Sequence, residues 1–224
     1  MVKRVLFVTG TDTDVGKTVV TCLLTRHFLA RDLPLAALKP FCSGGRNDAE
    51  ALFALQRGRL TLDEINPWFF PAPLSPMIAA KLTGRAIQKV QVLEKVRRVQ
   101  KKFPMIIIEG AGGLLSPLGR NFDSLDLITE LKAFPIVVCR NRLGAINQAR
   151  LAMRALPRFS SETAQLVLVQ ERKPDASQSS NAAVLRDYFS SERVHELPWT
   201  RWKSMDIEPT VRRMLTRLAN NILN

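Results

Sequence analysis

The chain has 224 residues, 46% hydrophobic and 24% charged, a length and balance that suit one globular domain and exclude a disordered chain. Its formal net charge of +13 admits nucleic acid, an anionic membrane surface or small anions as partners, but no apolar run is long enough to span a bilayer. Cys22, Cys42 and Cys139 lie far apart, without metal-ligand spacing and with only His27 and His195 to join them, so no zinc site is expected and a reducing cytoplasm is.

Read in chain order, short apolar runs alternate with longer amphipathic segments. The basic start before Val5 leads through an apolar run into glycine with no small-residue cleavage site, which predicts a first strand over Val5–Thr9, not a signal peptide. Further strands are predicted over Leu35–Lys39, Met105–Glu109, Ile136–Cys139 and Leu166–Gln170, with a short one near Val194–Leu197. Several are unbroken Val/Ile/Leu runs, the pattern of parallel strands buried on both faces. Helices are expected to start near Lys17, Ala49, Gln88, Ser124, Ala145 and Asn181, with a last one near Glu208–Leu223. Strand–helix alternation predicts an α/β fold: a doubly wound, mainly parallel sheet with helices on both faces, in one domain spanning 1–224. Pro67–Pro76 and Asp175–Ser180 read as surface loops.

The densest basic run is Lys95, Arg97, Arg98, Lys101 and Lys102. It shares its segment with Val90, Val92, Leu93, Val96 and Val99 at roughly helical spacing, so it reads as a solvated helix face. No aromatic residues interleave it, and no nucleic-acid signature appears elsewhere. In the last helix Ile207, Val211, Leu215, Leu218 and Ile222 pattern for core packing ahead of a membrane anchor.

Three motifs carry chemistry. The first, Gly10-Thr11-Asp12-Thr13-Asp14-Val15-Gly16-Lys17-Thr18, follows a strand and opens a helix. Its glycines let backbone N–H groups turn toward phosphate at the positive end of the helix dipole. Lys17 would neutralise the outer phosphates of ATP, and the Thr18 hydroxyl would hold magnesium. The common form of this loop has glycine where Thr11 stands; Gly10 is one place earlier. The second motif, Met105–Gly113, is a buried strand that delivers Glu109 to the carboxyl edge of the sheet, where ligands of such sheets bind and where it could take magnesium. The third is Lys39-Pro40-Phe41-Cys42-Ser43, followed by Asp48. Lys39 and Ser43 could hold an anion at the same edge and Asp48 a metal; equally, Lys39 could cap its strand in solvent and Asp48 could be a helix N-cap.

Together with Leu143-Gly144-Ala145-Ile146-Asn147, these motifs resemble dethiobiotin synthetases in order and spacing over most of the chain. The resemblance implies a cytoplasmic, homodimeric biotin-pathway ligase that joins 7,8-diaminononanoate and carbon dioxide, with MgATP, into a ureido ring, without nucleic acid or membrane as partner. It implies Lys39 and Lys17 as catalytic, and Thr18, Asp48 and Glu109 as magnesium ligands. It implies nucleotide contacts from Asp14, Val15, Gly16, Lys17, Thr18, Val19, Gly110, Gly112 and Gln170. It implies Thr13, Ser43 and Gly113 near the diamine, and Arg142, Leu143, Gly144 and Asn147 receiving the substrate carboxylate across the dimer interface, where a helix start offers free N–H groups. Departures from the family pattern fall at Asp14 (glutamate is frequent), Met77 and Gln148 (histidine is usual) and Gln170 (asparagine is usual). His195–Trp199 matches the family's later base-contacting segment only loosely. The competing reading is an ATP-driven switch of the chromosome-partitioning or cell-division type, binding DNA or membrane. Its members usually carry a further lysine early in the loop, where this chain has Thr11, Asp12 and Thr13.

Overall fold

A computed structural model describes residues 4–201 and 206–223; Met1–Lys3, part of the basic start, lie outside the described residues, so the 1–224 span is described only in part. Strands β1 (Arg4–Gly10), β2 (Leu35–Leu38), β3 (Phe41–Ser43), β4 (Trp68–Phe70), β5 (Met105–Glu109), β6 (Phe134–Asn141), β7 (Gln165–Gln170) and β8 (Val194–Leu197) alternate with helices. The longer helices are α1 (Lys17–Leu29), α2 (Asn47–Gln56), α5 (Lys89–Lys102), α6 (Ser124–Leu131), α7 (Ala145–Ala155), α9 (Gln178–Phe189) and α10 (Pro209–Leu223). Short helices α3 (Leu62–Ile65), α4 (Pro76–Leu82) and α8 (Arg158–Ser161) fill the connections.

Six strands form the main sheet in the order β2-β5-β1-β6-β7-β8, and every pairing in it is parallel. The unbroken apolar runs explain this. Leu6, Phe7 and Val8 of β1, Ile106 and Ile107 of β5, and Ile136, Val137 and Val138 of β6 are fully buried, so both faces of these strands need cover. Helix α1 packs on β1, β2 and β5 and against α10, which also covers β8. Right-handed crossovers place α5, α6, α7 and α9 on the other face, where they pack on β5, β1, β6 and β8 respectively.

The patterned helices behave as their spacing predicts. In α5, Val92, Leu93, Val96 and Val99 are buried while Lys95, Arg97, Arg98, Lys101 and Lys102 are exposed; Val90, expected on the apolar face, is exposed too. In α10, Val211, Leu215, Leu218 and Ile222 are fully buried in the core, the role expected for them.

Two expected loops differ. Within Pro67–Pro76, Trp68–Phe70 pairs in parallel with Phe41–Ser43 as a small second sheet, with the Phe41 and Trp68 rings stacked 5.4 Å apart. Three consecutive aromatics between Pro67 and Pro71 favour extended backbone, and the prolines keep the strand short. Likewise α9 starts at Gln178, not Asn181, absorbing the end of the serine-rich stretch. Asp175 accepts hydrogen bonds from the Ser177 N–H and hydroxyl and so organises that entry.

Candidate active site

Strand order makes the site. Since β1 lies between β5 and β6, the chain turns in opposite directions on leaving β1 and β5, and a crevice opens at their carboxyl ends. The loop after β1, the end of β5 and the segment after β2 meet there.

The first loop closes tightly. Gly16 sits in left-handed backbone, φ 99°, as the N-cap of α1, and a Cβ there would come within 3.1 Å of Val169. The displaced glycine of this loop also has a packing reason: a Cβ at Gly10 would meet Val15 at 2.7 Å and the Lys17 side chain at 3.2 Å. Gly10, not Thr11, is the residue lying under the lysine. Asp14 occupies left-handed backbone, φ 55°, a region aspartate tolerates, and its carbonyl accepts from Arg140 Nε at 2.8 Å. Val15 is buried beneath the loop. Lys17 is 6% exposed, and its Nζ donates to the Asp12 carbonyl at 2.7 Å. Burial first, then the charge of Lys39, lowers its pKa to about 8.

At the crevice floor Glu109 is fully buried. Its Oε1 accepts from Lys39 Nζ and from Thr18 Oγ1, each at 2.6 Å. Lys39, 5% exposed, also donates to the Gly110 carbonyl at 3.0 Å and lies 3.5 Å from Asp48, whose side chain is 47% exposed. Burial works against charge on Lys39, yet Glu109, through its charge and hydrogen bond, and Asp48 hold its pKa above the ordinary lysine value. The solvent-facing alternative for Lys39 is thus wrong. Nor does Asp48 cap α2, because it lies inside that helix and Arg46 takes the N-cap position.

Glu109 Oε2 is buried without a hydrogen-bond partner. An orphaned anionic oxygen beside a hydroxyl and a second carboxylate is a donor set whose chemistry suits a hard divalent cation, which Thr18, Asp48 and Glu109 could hold. Among the described residues no group of three or more His, Cys, Asp or Glu side chains is placed to hold a metal ion.

These groups line a cleft of about 850 Å³ together with Thr13, Asp14, Gly16, Val19, Ser43 and Gly112. Gly113 adjoins it, its N–H bound by Ser116 Oγ at 2.9 Å. Ser116 and the wall Pro73–Pro76 also line it, and sequence reasoning missed both as site residues. The available signals were the glycine run before Ser116 and Ser75-Pro76 ahead of the unusual Met77. Val19 lines a second cavity as well, about 460 Å³, with Val169, Gln170, Leu197, Pro198 and Trp199, so the two cavities have that residue of α1 in common. Arg142, Leu143, Gly144 and Asn147 are outside the cleft. They sit exposed at the turn from β6 into α7, with Leu143 81% exposed and its N–H bound to Asp175 Oδ2 at 2.8 Å.

A protein-family model described as an AAA domain matches residues 4–202. An ATP-dependent dethiobiotin synthetase of Anaeromyxobacter dehalogenans (strain 2CP-C) is 38% identical over 201 residues, 88% of this chain and 90% of its own. The chain belongs to the dethiobiotin synthetase family. Another member, from Anaeromyxobacter sp. (strain Fw109-5), is 35% identical over 98% of this chain and 99% of its own, so the likeness extends beyond the phosphate loop. Among solved structures, the pNOB8 ParA protein bound to nonspecific DNA superposes with a TM-score of 0.61 at 11% identity, covering 100% of this chain and 99% of that one. That likeness shows a shared fold and nothing of DNA binding, so the switch reading loses ground to the synthetase family.

Proposed function

We propose that this chain is a magnesium- and ATP-dependent dethiobiotin synthetase that closes 7,8-diaminononanoate and carbon dioxide into a ureido ring. The observation that carries the reading is the convergence of Lys17, Thr18, Lys39 and Glu109 at one buried point of the cleft, with Glu109 shared at 2.6 Å by two of them.

One substrate amine adds to carbon dioxide and loses a proton, giving a carbamate. A carbamate oxygen then attacks the γ-phosphorus of ATP; the bond to the bridging oxygen breaks and ADP leaves. The second amine attacks the carbamoyl carbon of the resulting anhydride, inorganic phosphate departs and the ring closes. No side-chain nucleophile is required, since positioning and charge stabilisation do most of the work in phosphoryl transfer. Lys17 neutralises the outer phosphates, and Lys39 stabilises the carbamate and the charge it passes to phosphorus. Thr13, Ser43 and Gly113 border the diamine; Asp14, Val15, Gly16, Val19, Gly110 and Gly112 form the phosphate cradle, and Gln170 meets the base. Magnesium, held by Thr18, Asp48 and Glu109, supplies charge neutralisation on the triphosphate.

The carboxylate end of the substrate is bound by Arg142, Leu143, Gly144 and Asn147 of a second copy in a homodimer. The exposure of that turn, and its position outside the chain's own cleft, support this arrangement. A cytoplasmic setting, with neither nucleic acid nor membrane as partner, belongs to the same proposal. Its test is phosphate release from ATP with and without diaminononanoate and bicarbonate. Release should require both and match dethiobiotin mole for mole; release indifferent to the diamine would refute it.

A further inference from the structure

Strand β6 holds the phosphate loop at two points. The Thr11 N–H donates to the Val138 carbonyl at 2.9 Å, and two residues further along the strand Arg140 Nε donates to the Asp14 carbonyl at 2.8 Å. Between these anchors the Thr13 N–H donates to Asp12 Oδ1 and Lys17 Nζ to the Asp12 carbonyl, each at 2.7 Å. The N–H groups of Asp14, Val15 and Gly16, by contrast, make no well-formed hydrogen bond among the described residues. Asp14 also holds left-handed backbone, φ 55°, which costs energy in any residue with a Cβ and persists only where its surroundings impose it.

Arg140 is the group that imposes it. The carbonyl and the N–H of one trans peptide point in opposite directions. A guanidinium that takes the Asp14 carbonyl therefore turns the Val15 N–H of the same peptide away from itself. Arg140 does not line the cleft, whereas Asp14 and Gly16, on either side of Val15, do. Rotation of this single peptide would offer a bound phosphate an oxygen in place of a proton, so repulsion would replace attraction. Arginine suits the task because it is charged at every working pH and its donors form a rigid fork. A second anchor steadies that fork: NH1 lies 3.7 Å from Oε1 of Glu171, the residue after β7. Both side chains are part-exposed, so the pair sets direction more than it adds stability.

We propose that Arg140 is a positioning residue for phosphoryl transfer: by pinning the Asp14 carbonyl it presents the Val15 N–H to the outer phosphates of the nucleotide. The inference rests on the nucleotide-binding reading above. Arg140 acts through a backbone peptide, from outside the cleft.

The magnesium complex of a non-hydrolysable ATP analogue is the probe, followed on the full chain by calorimetry and by amide NMR. In the native protein it should move the Val15 amide proton downfield together with those of Lys17 and Thr18. Arg140→Met keeps the aliphatic stem and removes the donor. Affinity should then fall about tenfold, the scale of one hydrogen bond to a charged group. The Val15 response should vanish, while the Lys17 and Thr18 amides, carried by α1, still respond. Arg140→Lys restores one charged donor and should recover part of both losses. Equal loss at all three amides would mean a merely structural role and overturns the inference, as does Arg140→Met with native affinity or a native Val15 response. No variant is needed for the remaining check: native protein that binds the analogue with its Val15 amide unmoved also overturns it. Native protein that does not bind the analogue refutes the nucleotide-binding reading itself.

Discussion

Lys39 and Glu109 are 70 positions apart in the chain and 2.6 Å apart in the fold. Neither is a candidate for burial alone; each is tolerated there because the other offsets its charge, with Thr18 and Gly110 taking further hydrogen bonds. The lysine therefore stands on the carboxylate proposed above as a metal ligand. Replacing it with methionine keeps the stem and removes the charge. We expect Lys39→Met to lower turnover by roughly 10²–10³-fold, the scale of losing one preorganised charge-stabilising group. Binding of the magnesium–nucleotide complex should be no weaker, because a competing cation has left Glu109. Steady-state rates and calorimetry together check this, and a variant that turns over normally refutes the role given to Lys39. Sequence reasoning marked both residues as candidates but could not choose between an exposed and a buried Lys39, because burial depends on the partner that β5 delivers.

At the scale of elements, local chemistry sets the ends of several helices independently of the site. Asp123 begins α6 by accepting from the N–H groups of Leu125 at 2.8 Å and Asp126 at 3.1 Å, while Asp126 accepts back from the Asp123 N–H at 3.0 Å. Asp123→Ala should cost about 1 kcal/mol, which lowers the melting temperature by roughly 2–4 °C in a chain this long. Thermal unfolding by circular dichroism measures it; an unchanged midpoint would mean that the box contributes nothing. This boundary was readable, as Ser124 was the expected start. The β3–β4 sheet was not readable, because a three-residue strand has no period to detect and exists only through its partner 27 residues away.

For the whole molecule, the two histidines make stability depend on pH. Burial, then the charge of Arg31 and Arg212, lowers the pKa of His27 to about 4; burial, then Arg217 and Arg186, does the same to His195. Unfolded, both bind protons near the ordinary value of about 6.5. Their stabilising contribution is thus complete above about pH 6.5 and is lost as pH falls toward 4, by at most about 1.4 kcal/mol per pH unit for each. Denaturant unfolding between pH 5 and 7 should show that slope, and His195→Gln should remove about half of it; a flat profile would contradict the assignment. A second prediction at this scale concerns assembly. If each cleft is completed by the partner's Arg142–Asn147 turn, then Lys39→Ala and Asn147→Ala homodimers are both defective. Mixed dimers that carry both lesions in one cleft leave the other intact and regain activity. No recovery despite proven subunit exchange would confine each site to one chain.

What the sequence by itself determined was whatever repeats on a short period or sits within one motif. Unbroken Val/Ile/Leu runs required strands covered on both faces, and the strand–loop–Gly16-Lys17-Thr18–helix passage required a phosphate cradle. The spacing of Val92, Leu93, Val96 and Val99 required a helix with its basic face in solvent. Only the tertiary structure decided the strand order that brings Glu109 beside Thr18 and Lys39, the orphaned oxygen left on that carboxylate, the wall from Pro73 to Pro76 and the hold of Arg140 on Asp14. Each of these joins residues far apart in the chain. Their encounter is set by how the sheet winds and what it must bury, and no local pattern carries that information.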